Sequence, residues 1–191
     1  MARWDSGTQA RLAKAALELF MERGYDDVTV THIAERAGIT RRSYFRYFPD
    51  KRAVLFAGSE KLPPAVYKAV RAVHRDTPPM AAALEALARV GAQLVVQLRN
   101  AAERRAVIDA SPELQERDRT KRAEVAASIA TALTDRGTPP DTARLVAQTA
   151  TLTFEHACTR WVEAAGEEDF PSCLQAVTST LRDAVLSAPA P

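Results

Sequence analysis

Apolar residues fall on one helical face almost from the start of the chain. Leu12, Ala15, Ala16, Leu19 and Phe20 recur at three- and four-residue spacing, the pattern of an amphipathic helix. This predicts a helix over 9–23, with Thr8 as N-cap and Gly24 as its stop. A second, short helix over 30–37 comes next, capped by Thr29, with Val30, Ile33, Ala34 and Ala37 on its apolar side. Gly38 breaks it. Thr40 caps a third over 41–47, on which Tyr44 and Phe48 share one face. Two short helices joined by a glycine-containing turn match the helix-turn-helix pattern.

Punctuation divides the rest. Asp50 can cap a fourth helix from Lys51, which must kink or restart at Pro63-Pro64. Further helices are predicted at about 80–99, 102–110, 112–136, 141–165 and 171–187. The breaks fall at Thr77-Pro78-Pro79, Ser111-Pro112, Gly137 to Pro140 and Gly166, and the tail 188–191 is expected to fray. No strand pattern or internal repeat interrupts this. The expected fold is all-α.

Composition and charge narrow the function. Hydrophobic residues make up 47% and charged residues 26% of 191 positions, the balance of a soluble globular protein. No signal-peptide core or membrane-length apolar run is found, so the expected location is cytoplasmic. Cys158 and Cys173 would then stay reduced. His32, His74 and His156 lie apart, without metal-ligand spacing. No phosphate-loop, dinucleotide or nucleophile-elbow motif occurs. The expectation is therefore no metal, no cofactor and no enzyme activity.

The net charge of +2 hides a concentration. Between Glu35 and Arg52 stand six basic side chains (Arg36, Arg41, Arg42, Arg46, Lys51, Arg52) against two acidic ones. Within this stretch, Thr40 to Lys51 mixes arginines, hydroxyls and aromatics on one short helix. Arginine can pair with guanine or phosphate, hydroxyls and lysine with phosphate, and aromatic edges with thymine methyls. Taken alone, the stretch is open to two readings, a solvated charged face or a DNA contact.

The segment from Leu12 to Val54 resembles the amino-terminal domain of TetR-family regulators. Ala16, Leu19-Phe20, Gly24-Tyr25, Thr29-Val30, Ile33-Ala34, Ala37-Gly38-Ile39, Phe45, Phe48 and Lys51 stand in the matching order and spacing. The resemblance implies that the third helix enters the major groove. Thr40, Arg41, Arg42 and Ser43 would face bases and nearby phosphates, and Phe45, Arg46 and Tyr47 backbone and sugar. Lys51 would clamp a phosphate, while Thr29 and Thr31 would touch the flanking backbone. Two positions depart from the family pattern: Phe45 stands where tyrosine is frequent, and Tyr47 where histidine is common.

By the same resemblance, residues 8–50 would form the DNA-binding head and 51–187 a helical ligand-binding and dimerisation domain. Phe56, Leu62, Val66, Leu84, Leu87, Ile129, His156 and Arg160 could line an effector cavity, although each also fits plain packing. The stripe Leu174, Val177, Leu181 and Val185, with Phe154, Cys158 and Trp161, would form a four-helix dimer interface or else intrachain core. The implied protein is a homodimeric repressor on a palindromic operator, released by a small-molecule effector. A helical carrier protein without DNA binding is the alternative.

Overall fold

A computed structural model describes residues 6–95, 100–164 and 167–187. Among them every regular element is helical. The break expected at Gly166, the end of the helix predicted to reach residue 99 and the tail lie outside the described residues.

The described residues divide into two units. One holds those of 1–60 and 100–120, the other those of 61–99 and 121–191. Helix α7 (Pro112–Thr134) gives its first turns to the former and the rest to the latter.

In the first unit, α1 spans Ser6–Arg23. Its stripe is buried as the periodicity requires, with Leu12, Ala15, Ala16, Leu19 and Phe20 nearly inaccessible. Thr8 does not cap this helix. It lies within the first turns, buried, and its hydroxyl accepts a hydrogen bond from Arg11. Gly24 ends the helix at φ 82°, a backbone region that a Cβ disfavours.

Helix α2 (Val30–Arg36) is capped as expected. The Thr29 hydroxyl accepts the His32 amide at 3.2 Å, and His32 Nδ1 accepts the Thr29 amide at 3.3 Å. Here an imidazole closes a reciprocal cap more often completed by a carboxylate or amide side chain. Helix α3 is only Arg41–Tyr44, extended to Phe48 by tighter turns. Tyr44 and Phe48 are buried against Leu12, Leu19, Ile33 and Val54 in a core that also takes Val107 and Ile108 from α6 (Ala101–Asp109) and Leu114 from α7.

No continuous helix starts at Lys51. A 3-10 helix covers Arg52–Phe56, and Asp50, one residue before its N-cap Lys51, accepts the Ala53 amide at 2.8 Å. Its Val54, Leu55 and Phe56 are buried in the head core. Helix α4 begins afresh at Leu62–Ala72 with Pro63 and Pro64 in its first turn. Proline is tolerated there because first-turn amides have no intrahelical acceptor. The prolines therefore mark a helix start, where the sequence left a kink or a restart open.

In the second unit, α4, α5 (Pro79–Val95), the rest of α7 and α8 (Pro140–Glu163) share a core of Val66, Val70, Leu87, Ile129, Leu133 and many alanines, and α9 (Phe170–Leu186) packs Phe170 and Leu174 beside it against Ala157 of α8. Arg136, just past α7, donates to the carbonyls of Val70, Val73 and His74 at 3.2, 2.6 and 2.8 Å. It thereby satisfies acceptors that the end of α4 leaves open. The close approach of α5 and α9 depends on Gly91. A Cβ built there would stand 2.1 Å from a ring carbon of Phe170, which is itself packed on Phe154 with centroids 5.2 Å apart. In an ordinary helix interior, glycine to alanine gains about 0.5–1 kcal/mol. Gly91→Ala is expected instead to destabilise by about 1–3 kcal/mol through overpacking. Its unfolding midpoint in urea should fall, and a raised midpoint would show that the ring has room to move.

Candidate nucleic-acid interface

Burial of Tyr44 organises the outer face of α3. Its ring is inaccessible and its hydroxyl donates to the Asp50 carbonyl at 3.0 Å. That hydroxyl stays protonated well above the ordinary tyrosine range, because burial penalises the phenolate and Asp50 adds to the effect. With Tyr44 and Phe48 turned inward, Thr40, Arg41, Arg42, Phe45 and Arg46 are exposed, and Ser43 and Tyr47 are half-buried. Thr31 is exposed on the first turn of α2, and Thr29 is exposed but engaged in its cap.

The hydroxyls of α3 are already directed. Thr40 Oγ accepts the Ser43 amide at 3.1 Å and donates to Ser43 Oγ at 3.0 Å. The Ser43 hydroxyl proton then has to point elsewhere, so Ser43 can donate to a base or phosphate while Thr40 is occupied as a cap.

The basic cluster read from sequence splits into two sets. Arg36 forks onto Glu22 at 2.9 and 2.8 Å and lies 3.8 Å from Glu18. The guanidinium holds the Glu22 carboxyl below its usual range. Arg52 pairs with Asp50 and with Glu113, each at 3.3 Å. Lys51 is half-buried, donating to the Tyr25 carbonyl at 2.7 Å with its ammonium 3.9 Å from the Tyr25 ring centroid. Burial lowers its pKa, against the attraction of Asp26, Glu113 and Asp27. These three cations are used inside the head. Arg41, Arg42 and Arg46 form no ion pair among the described residues, so the outward positive charge belongs to α3.

Glu113 was not among the residues singled out from sequence, and Tyr25 was named only as part of the family resemblance, without a role. Tyr25 supplies the seat for Lys51, and burial together with the nearby Glu113 carboxylate keeps the Tyr25 hydroxyl protonated well above the ordinary tyrosine range. Glu113 arrives from α7, more than fifty positions downstream, where no local pattern announces it. Tyr25 carried a signal, as the aromatic residue directly after the glycine that stops α1.

The other candidates are dispersed. Phe56 belongs to the core of the first unit, whereas Val66, Leu87 and Ile129 are buried in the second, with Leu62 and Leu84 packed at its edge. His156 and Arg160 are exposed on α8, and Arg160 forks onto Glu168 at 3.1 and 2.8 Å. An open groove of about 430 Å³ runs between α7 and α8. Its lining includes Arg122, Ala126, Ala130, Arg144, Gln148 and Leu152, and none of the residues proposed for an effector cavity.

Phe154, Cys158, Trp161, Leu174 and Val177 pack together within the chain around Ala157 and Phe170. Leu181 is half-buried and Val185 is exposed. Burial and nearby Glu155 push the Cys158 thiol up to about 12, which keeps it protonated. Leu145, Leu152 and Leu186 are the other large apolar side chains exposed on α8 and α9. Among the described residues no helix is long and apolar enough to cross a membrane.

Known proteins match this arrangement at two scales. Residues 12–57 match the family described as bacterial regulatory proteins, tetR family. The helix-turn-helix transcriptional regulator TcmR of Streptomyces glaucescens is 43% identical over 47 residues, 25% of this chain and 21% of TcmR. Curated relatives are matched over only about a quarter of their length. Solved structures match the whole fold at low identity. NalD, the secondary repressor of the MexAB-OprM multidrug efflux pump in Pseudomonas aeruginosa, superposes with TM-score 0.63 at 16% identity, covering 93% of this chain and 96% of NalD. SmeT in complex with triclosan superposes with TM-score 0.59 at 16% identity, covering 92% and 91%. With its capped α2, its Gly38 turn and its α3 held by Tyr44, the head is similar over residues 12–57 to the family described as bacterial regulatory proteins, tetR family.

Proposed function

We propose that this chain is a transcriptional repressor that binds a two-fold-symmetric operator as a homodimer and leaves it when a small molecule binds. The observation that carries the reading is the outer face of α3, where three arginines without ion pairs among the described residues flank an exposed aromatic ring. Arginine forks suit guanine edges and phosphates, and the first residues of a recognition helix lie nearest the bases. Release by a small molecule has support from the fold neighbours alone, one called a repressor and one held in complex with triclosan.

Two arginines then have separable roles. Arg42, in the first turn of α3, is placed at the bases, and Arg46, beyond its last turn, at the backbone. Arg42→Ala should weaken operator binding by about 1–3 kcal/mol and relax preference at one position. Arg46→Ala should weaken binding to all duplexes alike and make the salt slope shallower by about one. Fluorescence anisotropy on matched and mismatched duplexes over a salt series distinguishes them. A changed base preference for Arg46→Ala with an unchanged one for Arg42→Ala would reverse the roles.

A single short helix offers too few contacts for the specific affinity of about 10⁻⁸ M or better typical of such regulators. Two heads spaced about 34–36 Å apart can enter successive major grooves. A second copy must therefore be held by some surface. With Phe154, Cys158 and Trp161 used inside the chain, the apolar side chains left for it are Leu145 and Leu152 on α8 and Leu181, Val185 and Leu186 on α9. Leu152→Glu combined with Val185→Glu should give a folded monomer with little operator affinity, because a two-fold interface buries each new carboxylate twice. Light scattering reads the mass and circular dichroism the fold. A variant that remains dimeric would place the interface on another face.

A further inference from the structure

Phe45 is 45% exposed although it directly follows the fully buried Tyr44. The two rings meet edge to face, with centroids 5.6 Å apart and planes at 82°, so the buried tyrosine steadies the exposed ring from below. On the outside, Arg41 lies one turn earlier with its guanidinium carbon 5.4 Å from the Phe45 centroid. A guanidinium over an aromatic face is attracted by the ring's quadrupole and loses part of its rotamer freedom. All its N–H groups lie in its own plane, so stacking leaves the fork edge free to donate. Among the described residues, Arg42 and Arg46 have no ring beneath them.

We propose that Arg41 and Phe45 form one reading unit, in which Arg41 presents its fork to a guanine and Phe45 presents its exposed ring to the methyl group of a neighbouring thymine. Phe45 is at once a contact and the positioning residue for Arg41. The proposal rests on the DNA-binding reading above and adds a base step to it: a guanine next to a thymine within each half-site. The chemistry is set by the two surfaces. Guanine offers O6 and N7 to a planar fork, and thymine is the base that carries an apolar group into the major groove. Removal of the ring therefore has two effects, loss of the methyl contact and loss of order in the arginine.

The test uses the full chain. Duplexes are first selected from a random pool with the wild-type protein. Affinities are then measured on the selected duplex, on one with the guanine replaced, and on one with uracil in place of the thymine, which removes the methyl group alone. The wild type should prefer guanine by roughly fivefold or more and thymine over uracil measurably. Phe45→Leu should abolish the thymine preference and also reduce the guanine preference, whereas Phe45→Tyr, which keeps the ring, should retain both. Arg41→Ala should abolish the guanine preference, and the double variant Arg41→Ala/Phe45→Leu should lose no more guanine preference than Arg41→Ala alone. Both side chains are exposed, so thermal unfolding should shift little in any of these variants. A Phe45→Leu protein that keeps the full guanine preference, or losses that multiply in the double variant, overturns the unit while leaving DNA binding intact. A wild-type protein that enriches no recurring sequence removes the DNA-binding reading itself and the proposal with it.

Discussion

A helix of four residues does not hold itself together, since nucleation fixes several dihedrals for very few hydrogen bonds. The stability of α3 comes from Tyr44, whose ring fills the head core beside Phe48 and whose hydroxyl is satisfied by the Asp50 carbonyl. Much else in the head depends on this anchor. It sets which side of α3 faces water, leaves Arg41, Arg42 and Arg46 outside, and gives Phe45 a firm base. It also fixes the turn at Asp50, whose carboxylate accepts the Ala53 amide and pairs with Arg52.

The same economy governs charge. Arg36, Lys51 and Arg52 tie parts of the head to one another through Glu22, the Tyr25 carbonyl and Glu113. Half-exposed pairs of this kind contribute little individually. Their effect is geometric, because they leave α3 with the outward positive charge. Counted along the chain, six cations look like one patch. In the fold, half of them bind the head to itself.

Local features were legible in the sequence. The stripe of α1, the caps at Thr29 and Thr40, and the inward pair Tyr44 and Phe48 depend on neighbours within a turn or two, and all stand in the fold. Long-range arrangements were not legible. Lys51 reads as the start of a helix because Asp50 is a good cap, yet the helix that follows is 3-10 and ends at Phe56, a second 3-10 turn covers Ser59–Lys61, and the next α-helix begins at Leu62. Periodicity at Phe154, Cys158 and Trp161 shows that this face of α8 is covered, without saying by which chain. In the fold α5 and α9 of the same chain cover part of it, and Phe154, Cys158 and Trp161 stay partly exposed. Leu145 and Leu152, in an uncharged stretch of α8, remain open to solvent. Glu113 and Arg136 act on elements far away in sequence, which only the folded chain brings near.

Dependence of the face proposed to read DNA on an internal anchor can be tested by removing the anchor and leaving the face untouched. In Tyr44→Ala every outward arginine is retained, and the helices of the second unit should keep the bulk of the circular dichroism signal. Its affinity for a selected operator should fall by about 10³-fold or more, to the level of an unrelated duplex, the gap that separates specific from non-specific binding. Operator affinity equal to that of the wild type would contradict the account, because the arginines would then read DNA without the buried tyrosine that orients them.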